Sequence, residues 1–207
     1  MKTRNFDKDA QSWDDSPLRT GLARDVATAV SKQVELSKDM DVLDFGCGTG
    51  LLAFHILPHV RSITGVDTSK GMLDVFLAKA RQQKADNVKA YLLDLALDDG
   101  LAGPYHFIMS SMTLHHVQDT RKLLEQFYKV LRPGGQIAIA DLDEEGGRFH
   151  DNSDGVFHNG FDREKLGLVF LEAGFVNITS IAAAQINKPD SEGRERAFSV
   201  FLMTGRK

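Results

Sequence analysis

The feature that most limits how this chain can fold is a glycine-rich turn, DFGCGTG, at residues 44–50. An apolar segment at 40–45 leads into the turn, and a helical pattern at 50–57 follows it. Glycines permit a tight turn and let a ligand approach the backbone without meeting a Cβ atom. The N–H groups at the start of the following helix are free to bind that ligand. A strand, a turn and a helix in this order indicate the ligand-binding edge of a parallel sheet.

Short apolar runs alternate with helical patterns after residue 40, which indicates a parallel sheet with crossover helices. We predict strands at residues 40–45, 62–66, 88–93, 105–110 and 136–142. We predict helices at residues 50–57, from a cap at Thr68 or Ser69 onward, at 120–131, and at 162–173 with Asp162 as N-cap. Two closing strands, 175–181 and 197–204, are joined by a polar excursion and lie close enough along the chain to pair antiparallel.

The composition excludes several classes of partner. The formal net charge of −4 gives no sign of an electrostatic nucleic-acid binder. No apolar run approaches the roughly 18 residues that span a bilayer, and the start of the chain lacks the apolar core of a signal peptide. The single cysteine, Cys47, leaves no internal disulfide. We therefore expect a cytoplasmic protein with no nucleic-acid or membrane partner.

Acidic residues end three successive predicted strands: Asp44, Asp67 and Asp94. If these strands are neighbours, the three carboxylates line one edge of the sheet beside the glycine turn. A carboxylate at Asp67 can accept hydrogen bonds from both hydroxyls of a ribose, and one at Asp94 from an exocyclic amine. Single acids at strand ends are often helix caps or solvated loop residues. Three of them beside such a turn predict a bound nucleoside.

The ordered motifs resemble those of the class I S-adenosylmethionine-dependent methyltransferases. The resemblance covers roughly residues 40–142. It rests on VLDFGCGTG (42–50), GVDTSKGML (65–73), LDL (93–95), FIMSSMTLHHV (107–117) and LRPGG (131–135). It implies an α/β fold with a Rossmann-like, seven-stranded, mostly parallel sheet. The implied strand order is 3-2-1-4-5-7-6, with strand 7 antiparallel and helices on both faces.

The resemblance also implies S-adenosylmethionine as cofactor and assigns its contacts by position. The glycine turn would surround the amino-acid part, Asp67 would hold the ribose, and Asp94 would meet the adenine. The full set of implied cofactor residues is Asp44, Gly46, Cys47, Gly48, Gly50, Asp67, Thr68, Met72, Asp94, Leu95, Ser110 and Ser111. We expect one domain over residues 1–207. Its N-terminal cap covers residues 1–36, irregular to residue 18 and helical at 19–36. A cofactor-binding core follows at 37–142, and an acceptor-side loop with the closing strands lies at 143–207.

Candidates for the acceptor side follow the fourth and fifth predicted strands. Histidine titrates near neutral pH, so His115 and His158 are candidate bases. Trp13, His116, Asp141 and Phe157 are candidate acceptor contacts, and Phe149 and Phe161 extend a possible aromatic wall. His150, Asp151, Asp154 and His158 lie close along the chain but lack zinc-site spacing, so we expect no metal.

The residues leave several functions open. Our leading interpretation is methyl transfer to a small molecule, with the acceptor, the methylated atom and the oligomeric state undetermined. A protein or tRNA methyltransferase is one alternative, and a non-catalytic S-adenosylmethionine-binding protein is another. A nicotinamide oxidoreductase fits less well, because the turn reads G-x-G-x-G rather than G-x-G-x-x-G.

Overall fold

The computed structural model describes residues 6–93 and 100–207. In these ranges seven strands form one sheet: β1 (Asp41–Phe45), β2 (Ser62–Asp67), β3 (Val88–Leu92), β4 (Tyr105–Ser111), β5 (Leu131–Leu142), β6 (Val176–Pro189) and β7 (Glu195–Arg206). The order is β3-β2-β1-β4-β5-β7-β6. The pairs from β3 through β5 are parallel, and β7 runs antiparallel to both β5 and β6. The predicted fold class is therefore confirmed.

The described ranges also contain five α-helices: α1 (Pro17–Gln33), α2 (Ala53–Ile56), α3 (Lys70–Gln82), α4 (Thr120–Val130) and α5 (Arg163–Glu172). A side-chain oxygen caps four of them by accepting hydrogen bonds from N–H groups of the first turn. The caps of α3 and α5 are Ser69 and Asp162, as predicted. Ser16 and Asp119 cap α1 and α4.

The helices cover both faces of the sheet, and each face has its own hydrophobic cluster. Helices α1, α2 and α3 pack on one face, where Phe76 and Phe107 are fully buried. Helices α4 and α5 pack on the other face, around Phe127 and Phe170. Burial on both faces explains why the central parallel strands are apolar along most of their length.

Three segments differ from the prediction. Residues 6–18, predicted to be irregular, contain the 3-10 helices Phe6–Lys8 and Ala10–Asp15 and the start of α1. The helix predicted from residue 50 begins only at Ala53, since Gly50 has a φ of +86° that an α-helix does not allow.

The third difference is the polar segment between the two closing predicted strands, at residues 182–196. Most of this segment belongs to β6 and β7. β6 and β7 form a long hairpin closed by a tight turn after Pro189. The carboxylate of Asp190 accepts hydrogen bonds from the N–H groups of Glu192 and Arg194 and from the Arg196 guanidinium. These bonds explain how a charged sequence forms an ordered turn there.

Candidate active site

A cavity of about 600 Å³ opens at the carboxyl ends of β1, β2 and β4, directly beside the glycine turn. The strand order places these ends together, as expected for ligand sites in open α/β sheets. The site residues predicted from sequence that line the cavity are Trp13, Asp44, Gly46, Cys47, Gly48, Asp67, Thr68, Met72, Ser111, His115 and His116.

Five other predicted site residues do not line this cavity: Gly50, Ser110, Asp141, Phe157 and His158. The Ser110 hydroxyl donates to the carbonyl of Phe45 at 2.7 Å, inside the sheet. The His158 ring nitrogen Nε2 lies 2.9 Å from the Val117 carbonyl and holds the neighbouring loop. Asp94 and Leu95, the implied adenine contacts, lie outside the described residues.

The glycine turn is fixed by hydrogen bonds to β2 and by close packing. The N–H groups of Gly46 and Cys47 both donate to the carbonyl of Val66, at 2.8 and 3.1 Å. Gly46 has a φ of +69°, and a Cβ atom there would lie 2.2 Å from Oγ1 of Thr113. A glycine is therefore required both by the backbone conformation and by the neighbouring segment after β4.

Asp67 joins the turn to the start of α3. Its Oδ2 accepts the N–H of Gly48 at 2.8 Å, and its Oδ1 accepts the N–H of Ser69 at 2.9 Å. Burial raises the pKa of Asp67 above its ordinary value, against the lowering effect of these backbone hydrogen bonds. Each carboxylate oxygen can accept a further hydrogen bond, which suits a ligand with two adjacent hydroxyl groups.

Asp44 is a buried acidic residue in the cavity wall. Its side chain is almost completely buried, and its Oδ2 has no hydrogen-bond partner. Burial, with a smaller contribution from the nearby charge of Asp67, raises the pKa of Asp44 to about 8. A buried carboxylate with a free oxygen fits a cationic ligand group. The ammonium and sulfonium groups of S-adenosylmethionine are both cationic, so the residues present fit this cofactor.

The N-terminal segment is fastened over the cavity by two carboxylates. Asp7 accepts hydrogen bonds from the Ser69 hydroxyl at 2.6 Å and the Gly71 N–H at 2.7 Å. Asp14 accepts the Thr49 hydroxyl at 2.5 Å and the Lys79 ammonium at 2.6 Å. These contacts place the rings of Phe6 and Trp13 in the cavity wall, with their centroids 5.9 Å apart.

Three histidine rings gather in the cavity wall, where the Phe6 ring also packs against His116 at 5.5 Å between centroids. The ring centroid of His115 lies 4.1 Å from that of His116 and 5.0 Å from that of His150. The Nδ1 of His115 lies 2.7 Å from Oδ1 of the fully buried Asp141, and the Nδ1 of His116 lies 2.7 Å from the Gly155 carbonyl. Within the described residues, no group of three or more His, Cys, Asp and Glu side chains is arranged to hold a metal ion.

Several wall residues were not predicted as site residues from the sequence. They come from α1, from the segment after β4, from the loop at 143–161 and from β6: Leu18, Arg19, Leu22, Met112, Thr113, His150, Asp151, Asn152, Ile186 and Lys188. Met112 and Thr113 fall within the motif FIMSSMTLHHV (107–117), which could have indicated them, whereas long-range packing brings the others to the cavity. Phe149, expected as part of an aromatic wall, lines the cavity. In the part of the chain that is described, no helix is long and apolar enough to cross a membrane.

Comparison with known proteins identifies the family. Residues 18–180 match the methyltransferase domain family. An uncharacterized methyltransferase of Schizosaccharomyces pombe is 32% identical over 163 residues, which cover 72% of this chain and 57% of the relative. A ubiquinone biosynthesis O-methyltransferase of Coxiella burnetii is 30% identical over 113 residues, which cover 55% of this chain and 47% of the relative. The chain thus spans about half the length of these curated relatives.

Solved structures agree at the level of the fold. A methyltransferase of Haloferax volcanii, solved in complex with the Trm112 methyltransferase activator, superposes with a TM-score of 0.76. The superposition covers 99% of this chain and 98% of that chain at 19% sequence identity. The family match extends over most of the chain, and the sheet has the order that the sequence motifs imply. The protein therefore belongs to the class I S-adenosylmethionine-dependent methyltransferase superfamily.

Proposed function

We propose that this chain transfers the methyl group of S-adenosylmethionine to a small-molecule acceptor. The observation that carries the proposal is the continuity of the cavity, which runs from the glycine turn to the rings of Trp13, His115 and His116. One cavity thus joins a polar half that suits the cofactor to a half with aromatic and imidazole walls. A volume of about 600 Å³ lies in the usual range for small-molecule sites.

In the cofactor half, the proposed polar contacts use the carboxylates of Asp44 and Asp67, whose oxygens can accept further hydrogen bonds. Asp44 faces the cationic groups with its unpartnered Oδ2. Asp67 holds the ribose hydroxyls while its backbone bonds to Gly48 and Ser69 keep it in place. Thr68 and Met72, at the start of α3, flank the ribose and adenine. The bound cofactor supplies a methyl group on a positively charged sulfur, ready for in-line displacement.

In the acceptor half, the chain positions the nucleophile and excludes water. The fastened N-terminal segment and the loop at 143–161 both contribute residues to the cavity wall. This supports a division of the chain into a cap (1–36), a core (37–142) and an acceptor-side segment (143–207). Enclosure of this kind supports a small acceptor over a protein or tRNA. The net charge of −4 gives no electrostatic support for a nucleic acid. The name of the Coxiella burnetii relative also refers to a small-molecule pathway.

Thermal unfolding with and without cofactor tests the first half of the proposal. Either S-adenosylmethionine or S-adenosylhomocysteine at about 100 times its dissociation constant should stabilise the protein by roughly 2.7 kcal/mol. For a domain of this size, the melting temperature should rise by roughly 5–10 °C. An unchanged melting temperature with both ligands would contradict the proposed site.

Asp67→Ala tests the ribose contact. The substitution should weaken cofactor binding measured by calorimetry, and it should also lower the melting temperature, because Gly48 and Ser69 lose their acceptor. Asp162→Ala is the matched control, since Asp162 also accepts two backbone N–H bonds but caps α5 away from the cavity. The control should lose stability and keep the wild-type affinity. Equal affinity in both variants would refute the ribose contact.

A further inference from the structure

Resting on the proposed function, we infer that His115 and Asp141 act as a general-base pair for an acceptor whose nucleophile is a hydroxyl group on an aromatic ring. The inference names a proton acceptor, the residue that positions it, and a substrate class. It rests on the hydrogen bonds of Asp141, the location of His115 in the cavity wall, and the aromatic side chains around it.

Asp141 is held as a carboxylate by hydrogen bonds. It lies near the end of β5 and is fully buried. Its oxygens receive the N–H of Leu142 at 2.7 Å, the backbone N–H of His115 at 3.2 Å, and the Nδ1 of His115 at 2.7 Å. Burial favours the neutral acid, but the attraction of His115 when its ring is protonated, together with the hydrogen bonds from the ring and N–H of His115 and from the N–H of Leu142, holds the pKa of Asp141 below its ordinary value.

The ionised Asp141 fixes the tautomer of His115. A carboxylate can only accept hydrogen bonds, so Nδ1 of His115 carries the hydrogen. The lone pair of the neutral ring is then on Nε2, on the side of the ring away from Asp141. His115 is among the residues that line the cavity, and because Nδ1 is bound to Asp141, Nε2 is the ring nitrogen left to take a proton from an acceptor. When Nε2 gains a proton, the charge of Asp141 stabilises the resulting imidazolium.

The other two histidines near His115 have different neighbours. The Nδ1 of His116 lies 2.7 Å from the carbonyl of Gly155. His150 lies on the loop at 143–161, with its ring against those of Phe149 and His115. Asp151 is a further charged group in the cavity wall. We assign the base to His115 and the positioning role to Asp141 because the buried carboxylate of Asp141 lies 2.7 Å from Nδ1 of His115.

The requirement for a base indicates the type of nucleophile. A neutral amine attacks with its own lone pair and loses its proton afterwards, and a carboxylate carries no proton near neutral pH. A thiol with a pKa of about 8.5 ionises readily, whereas a phenol with a pKa of about 10 gains more from a base. The rings of Phe6, Trp13 and Phe149 in the cavity wall suit a flat aromatic acceptor.

The resulting step balances. The hydroxyl proton passes to Nε2 of His115, and the electron pair of the oxygen forms the new bond to the methyl carbon. The bond between that carbon and sulfur breaks with its electrons on sulfur, which leaves neutral S-adenosylhomocysteine and the methyl ether. The imidazolium then returns its proton to water after product release.

The first test is the tautomer, which can be measured without turnover. Two-bond proton–nitrogen spectra of ¹⁵N-histidine-labelled protein, assigned with His115→Gln, should show hydrogen on Nδ1 and none on Nε2 of His115. In Asp141→Asn the carboxylate is gone, and the proton should redistribute to Nε2. A wild-type ring protonated on Nε2 alone would overturn the assignment of the base pair.

The second test is turnover with matched acceptors, read as S-adenosylhomocysteine release. Phenol-, aniline- and thiophenol-type series should give turnover only, or by far the fastest, with the phenols. His115→Gln and Asp141→Asn should lower kcat on simple phenols by about 10²–10⁴-fold, at unchanged cofactor affinity by calorimetry. Nitrophenols are already ionised near neutral pH and need no base. The kcat of both variants on nitrophenols should therefore fall much less. His59 is an exposed histidine, so His59→Gln is the control and should keep wild-type rates.

The outcomes separate the two proposals. Cofactor binding with fast turnover of anilines or thiophenols keeps the proposed function and overturns the hydroxyl acceptor. Equal losses on simple phenols and nitrophenols overturn the base and leave a structural role for His115. Absence of turnover with every series contradicts the proposed function and, with it, the proposed acceptor class.

Discussion

The carboxyl group of Asp44 combines deep burial with an oxygen that has no hydrogen-bond partner. Leaving a charge in that position is costly, so the folded protein without cofactor holds a proton on it up to a pKa of about 8. The unfolded chain loses the same proton near the ordinary value of 3.8. Between these two pH values the folded state binds one proton more than the unfolded state does.

This difference predicts a pH dependence of stability. The contribution of Asp44 to the free energy of unfolding is fully present below about pH 4, falls as the pH rises toward 8, and levels off above. The slope is on the order of 1 kcal/mol per pH unit. Asp44→Asn removes the titration, so the variant should gain stability relative to wild type from pH 5 to 8, as measured by urea unfolding.

The exposed Asp39→Asn variant is the control for a simple loss of one negative charge, and its stability should run parallel to that of wild type. A parallel curve for Asp44→Asn as well would show that Asp44 does not hold the proton. Saturating cofactor should reduce the difference between wild type and Asp44→Asn, because a cation beside Asp44 stabilises the charged carboxylate.

At the scale of the elements, the loop at 143–161 depends on how its two ends meet. The Glu144 and Glu145 N–H groups donate to the carbonyls of Phe161 and Asn159, which closes the loop at its base. Gly160 lies at this crossing with a φ of +77°, and a Cβ atom there would lie 2.1 Å from the Asp143 carbonyl oxygen. A backbone atom cannot move aside as the end of a side chain can.

Gly160→Ala should therefore open the base of the loop. Gly146→Ala is the matched control, because Gly146 has a similar φ of +68° but its nearest Cβ contact is at 3.8 Å. The control should lose roughly 1–3 kcal/mol from backbone strain alone. Gly160→Ala should lower the free energy of unfolding by clearly more than the control does. It should also make hydrogen exchange at the N–H of Glu145 faster than in wild type. Equal losses in the two variants would mean that the contact with Asp143 is relieved without cost.

Local signals predicted the elements around the cavity better than the cavity wall itself. Asp44 and Asp67 lie at the carboxyl ends of β1 and β2, and His115 follows β4, so the strand order alone brings them to one edge of the sheet. Phe149 and Lys188 reach the same cavity from a long loop and from a strand at the far edge. Their positions depend on how the loop folds back on β6, where the Lys188 ammonium donates to the Phe149 carbonyl at 2.6 Å. No short sequence pattern encodes that contact.

At the scale of the whole molecule, the sheet separates two hydrophobic clusters with different relations to the site. Helices α1 to α3 and the glycine turn share one cluster, while α4 and α5 share the other. The resemblance to the methyltransferases implied helices on both faces, and parallel strands that are apolar on both sides agree with that arrangement. The apolar sequence pattern does not distinguish the face that supports the turn, since both faces are lined with similar apolar residues.

Phe76 and Phe170 make this difference testable. Both rings are fully buried, one on each face of the sheet. The Phe76 ring packs against Phe54 at 5.3 Å between centroids and lies where a Cβ atom of Gly50 would be, whereas the Phe170 ring packs against Phe175 at 5.5 Å. Substitution by leucine removes similar volume from each cluster.

Phe76→Leu and Phe170→Leu should each lower the free energy of unfolding by about 0.5–3 kcal/mol, in one cooperative transition. Only Phe76→Leu should also weaken cofactor binding in calorimetry, because the space left behind Gly50 lets the glycine turn relax away from the ligand. Phe170→Leu keeps the turn supported and should bind with wild-type affinity. Equal weakening in both variants would mean that the turn responds to stability in general, and would contradict a specific support from the α1 to α3 face.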